Sequence, residues 1–291
     1  MPLPPSIHGL REIAGRYDGF ILDLWGVLHD GDKAYPGAID CLERLKRAGK
    51  RAMALSNAPR RVDVAVKRMT EMGIRPELLN AVMTSGEDAW QHLKKRDDPW
   101  YAKLGRKAFH LGPERDTGML AGLDLTVVHD VGAAEFILNT GAHMDGETLK
   151  EYEPLLKQGA QRRIPMVCAN ADLVVIHRGR MQICAGLLAE RYEALGGHVR
   201  WHGKPHRDMY QLCFKLLGVA DRRRILAVGD SFRTDIAGAK GAGIDALFVA
   251  HGIHGEELEM PAGGHPDPEK LNALIERTGV SPAAVMPNFV W

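Results

Sequence analysis

The stretch Gly19-Phe20-Ile21-Leu22-Asp23-Leu24-Trp25-Gly26-Val27 constrains this chain more than any other: an unbroken apolar run ends in one carboxylate, and a glycine soon follows. A run that is apolar at every position, rather than at alternate ones, suits a strand buried on both faces, and such strands belong to helix-covered parallel sheets. Open α/β sheets bind ligands outside the carboxyl ends of their strands. A carboxylate fixed there can attack phosphorus and form an aspartyl-phosphate. Read alone, the same residues are also an ordinary strand end with a solvated Asp23, so the rest of the chain has to decide.

Strand and helix patterns alternate through the sequence. Strands are expected at 19–23, 51–55 and 80–83, and helices at 37–48, 60–72 and 86–96, with Pro36 opening the first helix, Gly49 stopping it and Ser85 capping the third. The stretch Asp97-Asp98-Pro99-Trp100 breaks this pattern. Alternation starts afresh with strands at 107–111, 125–128, 134–138, 164–168 and 173–177 and helices at 147–159 and 182–195. It returns with a helix at 205–217, a strand at 224–228, a helix at 232–242, a strand at 245–249 and a helix at 268–277. The reading is an α/β protein with a Rossmann-like parallel-sheet core over 1–84 and 200–291 and a smaller α/β unit inserted at 85–199. A chain of 291 residues has room for both units and can bury its cores without disulfides.

Composition narrows the classes. The net charge of +1 provides no field that would favour nucleic acid or a membrane surface. No apolar segment approaches a membrane span, and the N-terminal stretch has no hydrophobic signal region, so a cytoplasmic location is expected. Cys41, Cys168, Cys184 and Cys213 lie far apart without a C-x-x-C pair, which fits reduced thiols better than a disulfide framework or a zinc site.

Phosphoryl transfer needs a nucleophile, a metal, a positive side chain and donors for the phosphoryl oxygens. Each is found at an expected strand end or helix start. Asp23 is the candidate nucleophile. Ser56 and Asn57 close the second strand, where a hydroxyl and backbone N–H groups can hold an anion. Lys204, followed by Pro205, is expected to open a helix and to neutralise both carboxylate and phosphate. Asp230, in Val228-Gly229-Asp230-Ser231, is a candidate Mg²⁺ ligand, and Asp235 a second ligand or an orienting group. Taken singly these are turn residues, a solvated lysine and a helix cap. Their joint order, Asp, then Ser, then Lys, then Gly-Asp with a further Asp, is far less ordinary.

In that order, together with Tyr35-Pro36-Gly37-Ala38, Asn170-Ala171-Asp172 and Gly203-Lys204-Pro205, the chain resembles the haloacid dehalogenase superfamily of hydrolases. It looks most like subclass IIA, which contains nucleotide and sugar phosphatases, 4-nitrophenyl phosphatases and pyridoxal phosphatase and carries its cap between the second and third motifs. The resemblance implies Mg²⁺-dependent hydrolysis of a small phosphorylated metabolite. Asp23 would be nucleophile and metal ligand, with the backbone carbonyl of Trp25, Asp230 and Asp235 completing the metal side. Ser56 would bind the phosphoryl group and Lys204 balance charge. Asn170 and Asp172 fall in the cap region that contacts substrate in similar proteins. Caps of this type often take part in dimers there, so a homodimer is among the expected states.

One position departs from the family. Its phosphatases usually carry a second Asp two residues after the nucleophile, as general acid and then base; here that residue is Trp25. Indole offers only an N–H donor, and general acid–base help is worth about 10²–10⁴ in rate. Three explanations stand: His29, Asp30 or a substrate atom supplies the proton; the leaving group needs none; or the chain binds phosphorylated ligands without turnover. A phosphonate or other non-ester hydrolase is the alternative within enzymes.

Other residues invite over-reading. His251 and His254 are expected in a glycine-rich loop after a strand, rather than as a metal pair. His202 and His206 flank Lys204, and a cation between them disfavours zinc. The turn His177-Arg178-Gly179-Arg180 is either a solvated basic turn or an anion-binding element in which Arg178 touches the substrate's distal end.

Overall fold

Among residues 3–177, 180–261 and 264–291, which we describe from a computed structural model, thirteen strands form. In chain order they are β1 (Gly19–Leu22), β2 (Arg51–Ser56), β3 (Ala81–Thr84), β4 (Lys107–Leu111), β5 (Thr126–Val128), β6 (Phe136–Asn139), β7 (Met166–Cys168), β8 (Val174–His177), β9 (Arg180–Ile183), β10 (Val199–Trp201), β11 (Ile225–Gly229), β12 (Asp245–Val249) and β13 (Ala284–Met286). Two compact units result. One gathers Met1–Ser56, Val66–Met83 and Lys204–Trp291; the other gathers Asn57–Ala65 and Thr84–Gly203.

The first unit is built on a sheet in the order β13-β12-β11-β1-β2-β3. β1 runs parallel to both β2 and β11, and β12 runs parallel to β11 and β13. All four residues of β1 are buried because helices cover both faces. Phe20 and Leu22 join a core with Cys41, Leu42 and Leu45 of the helix Ala38–Arg47. Ile21 points the other way, among Met209, Cys213 and Leu217 of the helix Arg207–Leu217 and Leu271 and Ile275 of the helix Pro268–Thr278. The period-2 alternation of side chains thus accounts for an apolar run with no polar gaps.

The second unit has its own sheet, β10-β7-β6-β4-β5, with every adjacent pair parallel. The helices Leu149–Gln161 and Ala185–Ala194 pack Leu156, Leu188 and Tyr192 on one face. On the other face Ala89 and Leu93 of the helix Ser85–Lys95, together with Tyr101, meet Phe136, Leu138 and Val167. β8 and β9 form a separate antiparallel hairpin; Arg178, expected to touch substrate, lies outside the described residues.

Local differences from the sequence reading have physical causes. Thr84, not Ser85, caps the third helix: its side chain accepts from the Glu87 N–H, while the Ser85 hydroxyl donates to the Ala169 carbonyl at 2.6 Å. Pro99 does not end structure but starts a short helix capped by Asp98. Lys204 precedes its helix rather than opening it, since the helix starts at Arg207 with His206 as N-cap. The short strands β9, β10 and β13 carry too little periodicity to be legible beforehand. Among the described residues no helix is long and apolar enough to cross a membrane, and all four cysteines are buried free thiols.

Candidate active site

Asp23 follows β1 directly and Asp230 follows β11. These strands are neighbours, and the sheet order reverses between them: β2 and β3 lie on one side, β12 and β13 on the other. Such a reversal leaves a crevice outside the strand ends, because the connecting helices depart in opposite directions. Ser56, the last residue of β2, lies buried at a strand end one position further along the sheet.

Donor oxygens of Asp23, Asp230 and Asp235 all lie within 4.8 Å of one another. Between two of them sits Lys204, whose Nζ is 2.7 Å from Asp23 Oδ1 and 2.8 Å from Asp235 Oδ1. Its side chain is 3% exposed. Three carboxylates against one ammonium leave two negative charges in excess (three minus one). Burial pushes the Asp23 carboxyl well above the usual carboxylate range; Lys204 pulls it down, and Asp235 and Asp230 add to the rise. The donor set, all hard oxygens, and the missing charge fit a divalent cation.

The backbone is shaped around Asp230. Gly26 has φ +80°, and a Cβ there would collide with Asp230 Oδ2; a Cβ on Gly252 would strike the same oxygen. The Ile253 N–H donates to that oxygen at 2.8 Å. Asp235 is held by Lys204 at Oδ1 and by the Ser231 N–H at Oδ2, 3.2 Å away. Its wide turn of π-helix, Phe232–Ile236, is what aims this side chain back at the strand end.

Trp25 is half-buried in the turn after Asp23. Its indole stands edge-on to the His29 ring at 5.7 Å and covers Gly31. His29 Nδ1 accepts from the Gly31 N–H at 3.0 Å, and burial holds this imidazole down to about 4. Asp30 accepts from the N–H groups of Asp32 and Lys33, both at 2.9 Å; against the effect of burial, these bonds keep its carboxyl below the usual range. Asp30 is therefore a loop anchor and His29 a neutral ring, and neither is an acid at neutral pH.

Three further candidates gather in the second unit. The Asn57 amide donates to Asp172 Oδ1 at 2.8 Å, and Asn170 Oδ1 accepts from the Asp172 N–H at the same distance. Sequence reasoning missed the contribution of the loop Gly252-Ile253-His254. Its only signal was a pair of glycines flanking an apolar residue and a histidine, which reads as an unremarkable loop until the fold sets it against Asp230.

A family profile described as haloacid dehalogenase-like hydrolase matches residues 20–126, and a second, HAD hydrolase-like profile matches 201–276. Chronophin of Bos taurus is 30% identical over 88% of this chain and 90% of its own. The 4-nitrophenylphosphatase of Schizosaccharomyces pombe is 25% identical over 91% and 96%. A haloacid dehalogenase-like hydrolase from Brucella suis 1330 superposes at TM-score 0.82 with 31% identity, covering 98% of this chain and 100% of that one. This identity runs through nearly the whole length of both chains, with the acidic strand ends in the crevice of the sheet, and the chain accordingly belongs to the haloacid dehalogenase superfamily of hydrolases, in subclass IIA with chronophin and the 4-nitrophenylphosphatases.

Proposed function

We propose that the protein is a Mg²⁺-dependent phosphatase of small phosphorylated metabolites that works through an aspartyl-phosphate on Asp23. The observation that carries this reading is the buried carboxylate cluster at the switch point, with Lys204 bridging Asp23 and Asp235. The phosphatase names of the relatives support it.

Asp23 Oδ attacks phosphorus, the P–O bond to the leaving group breaks, and that oxygen departs with the bonding pair. Lys204 favours the ionised form of Asp23 and offsets phosphoryl charge as it is transferred. The Ser56 hydroxyl and the N–H groups after β2 bind phosphoryl oxygens. Asp230 and Asp23 would hold the metal, with the Trp25 carbonyl as a further ligand, and Asp235 orients Lys204. Bound Mg²⁺ supplies charge neutralisation for the phosphoryl oxygens. Water then attacks the phosphorus of the acyl phosphate, releasing inorganic phosphate and restoring Asp23. The second unit, with Asn57, Asn170 and Asp172, selects the substrate.

Trp25, His29 and Asp30 offer no acid, so the leaving group departs without protein protonation. Aryl and acyl phosphates are therefore preferred to alkyl phosphates. The decisive assay is hydrolysis of 4-nitrophenyl phosphate and a panel of phosphorylated metabolites with and without Mg²⁺. Mg²⁺-dependent release of phosphate is expected. Ligand-dependent stabilisation without release would establish a binding protein instead, and release only from phosphonates would establish the non-ester alternative, which Trp25 favours.

A further inference from the structure

The helix Ser85–Lys95 carries Asp88 and His92 one turn apart on one face, and His202 is the residue that follows β10. All three belong to the second unit, and none takes part in the site built on Asp23. We propose that Asp88, His92 and His202 form a second cation site, which takes a transition metal of the Zn²⁺ class.

One donor atom from each of the three residues lies within 4.8 Å of the others. His202 Nδ1 is 2.6 Å from Asp88 Oδ2, and His92 Nδ1 is 3.6 Å from Asp88 Oδ1. Both imidazoles therefore present a ring nitrogen to one carboxylate. Ligands at about 2.0–2.1 Å from a tetrahedral ion stand about 3.3 Å apart. One pair already has nearly that spacing, and the other reaches it by opening less than ~1 Å, within ordinary side-chain adjustment.

Protonation states match. Burial holds the His202 imidazole down, so it is neutral at neutral pH. Burial pushes Asp88 up, but the hydrogen bond it accepts from His202 works against this, and the carboxyl lies below its usual range. Neutral imidazole and ionised carboxylate are the ligating forms. With an ion at Nδ1 the ring would be in the tautomer that carries its proton on Nε2, which would donate to the oxygen of the buried Tyr101 hydroxyl, already its partner. Metal-bound histidines are commonly oriented by such an outer bond. His92 exchanges its 2.9 Å contact with the Asp88 carbonyl for the ion. Arg200, whose charge is felt by both Asp88 and His202, is paired with Asp98 at 3.0 Å.

Two nitrogens and one oxygen select against Mg²⁺ and for Zn²⁺, Co²⁺ or Ni²⁺. His92 is 38% exposed and provides an entry path; His202, at 3%, fixes the inner wall. An ion here ties the helix Ser85–Lys95 to the end of β10 and stiffens the second unit.

The test is a Co²⁺ titration of the intact protein in excess Mg²⁺, read by visible absorption. One equivalent giving the intense bands of a low-coordinate nitrogen-containing site is expected, with weakening beyond ~100-fold in His92→Ala, more than loss of an outer partner costs. His92 lies on a half-exposed helix face, so this variant leaves the buried pair intact. Asp230→Asn should leave the bands unchanged. Only weak octahedral bands, bands lost in Asp230→Asn, or equal affinity in His92→Ala would overturn the proposal and leave Tyr101, His202 and Asp88 as a metal-free hydrogen-bonded trio.

Discussion

The indole of Trp25 leans on the His29 ring, and neither group holds a proton it can give up at neutral pH. Rates are therefore expected to rise as leaving-group pKa falls across a series of aryl and alkyl phosphates. Trp25→Asp should speed alkyl esters selectively, by up to ~10²-fold; steady-state kinetics on both series checks this, and a flat dependence would mean that another acid operates. Lys204 differs from the solvated lysine its sequence setting allowed, being wedged between two carboxylates. In saturating Mg²⁺, Lys204→Ala is expected to lower kcat/KM by ~10²–10³, and an unchanged value would remove it from the reaction. His29 and His110 share a further property: burial lowers each from 6.5 to about 4. Below about pH 6.5 the unfolded chain binds protons that the folded chain does not. Their contribution is thus complete above that pH and lost as pH falls through about 4, by up to ~3 kcal/mol per ring. Denaturant unfolding across this range should show the loss, and His29→Gln should flatten the profile by one proton.

Elements, more than single residues, set the carboxylates. The π-helical turn Phe232–Ile236 follows β11, and the loop after β12 closes over it. The Phe232 N–H points at His254 Nε2, 3.4 Å away; His254 Nδ1 donates to Glu257 at 2.9 Å; and Glu257 pairs with Arg277 at 2.5 Å. This chain fixes the histidine tautomer and braces the segment that carries Asp230 and Asp235. His254→Ala should therefore raise the Mg²⁺ concentration for half-maximal rate by ~10–100-fold, with Glu257→Gln following in the same direction. A change in melting temperature without a change in Mg²⁺ requirement would make the relay purely structural. The pattern Val228-Gly229-Asp230 revealed a strand end, but no local signal revealed its brace, because the partners come from a loop and a helix further along the chain.

At the scale of the whole molecule, each unit buries its own pair of cores and carries its own candidate site. Substrate choice and metal use should accordingly separate. Asp172→Asn is expected to change KM among phosphorylated substrates while leaving the Mg²⁺ requirement unaltered; the opposite outcome would tie residue 172 to the metal. By itself the sequence determined the α/β class and most strand and helix positions, and it singled out Asp23, Lys204, Asp230 and Asp235, which the fold brings together, because buried strands, caps and strand-end carboxylates leave signatures within a few neighbours. It could not determine which strand ends adjoin, that glycines at 26 and 252 press on Asp230, or that His202 pairs with Asp88. Those facts depend on sheet order and on contacts between distant segments. Only the folded chain decides them, since side-chain electrostatics act over a few ångströms of space whatever the separation along the sequence.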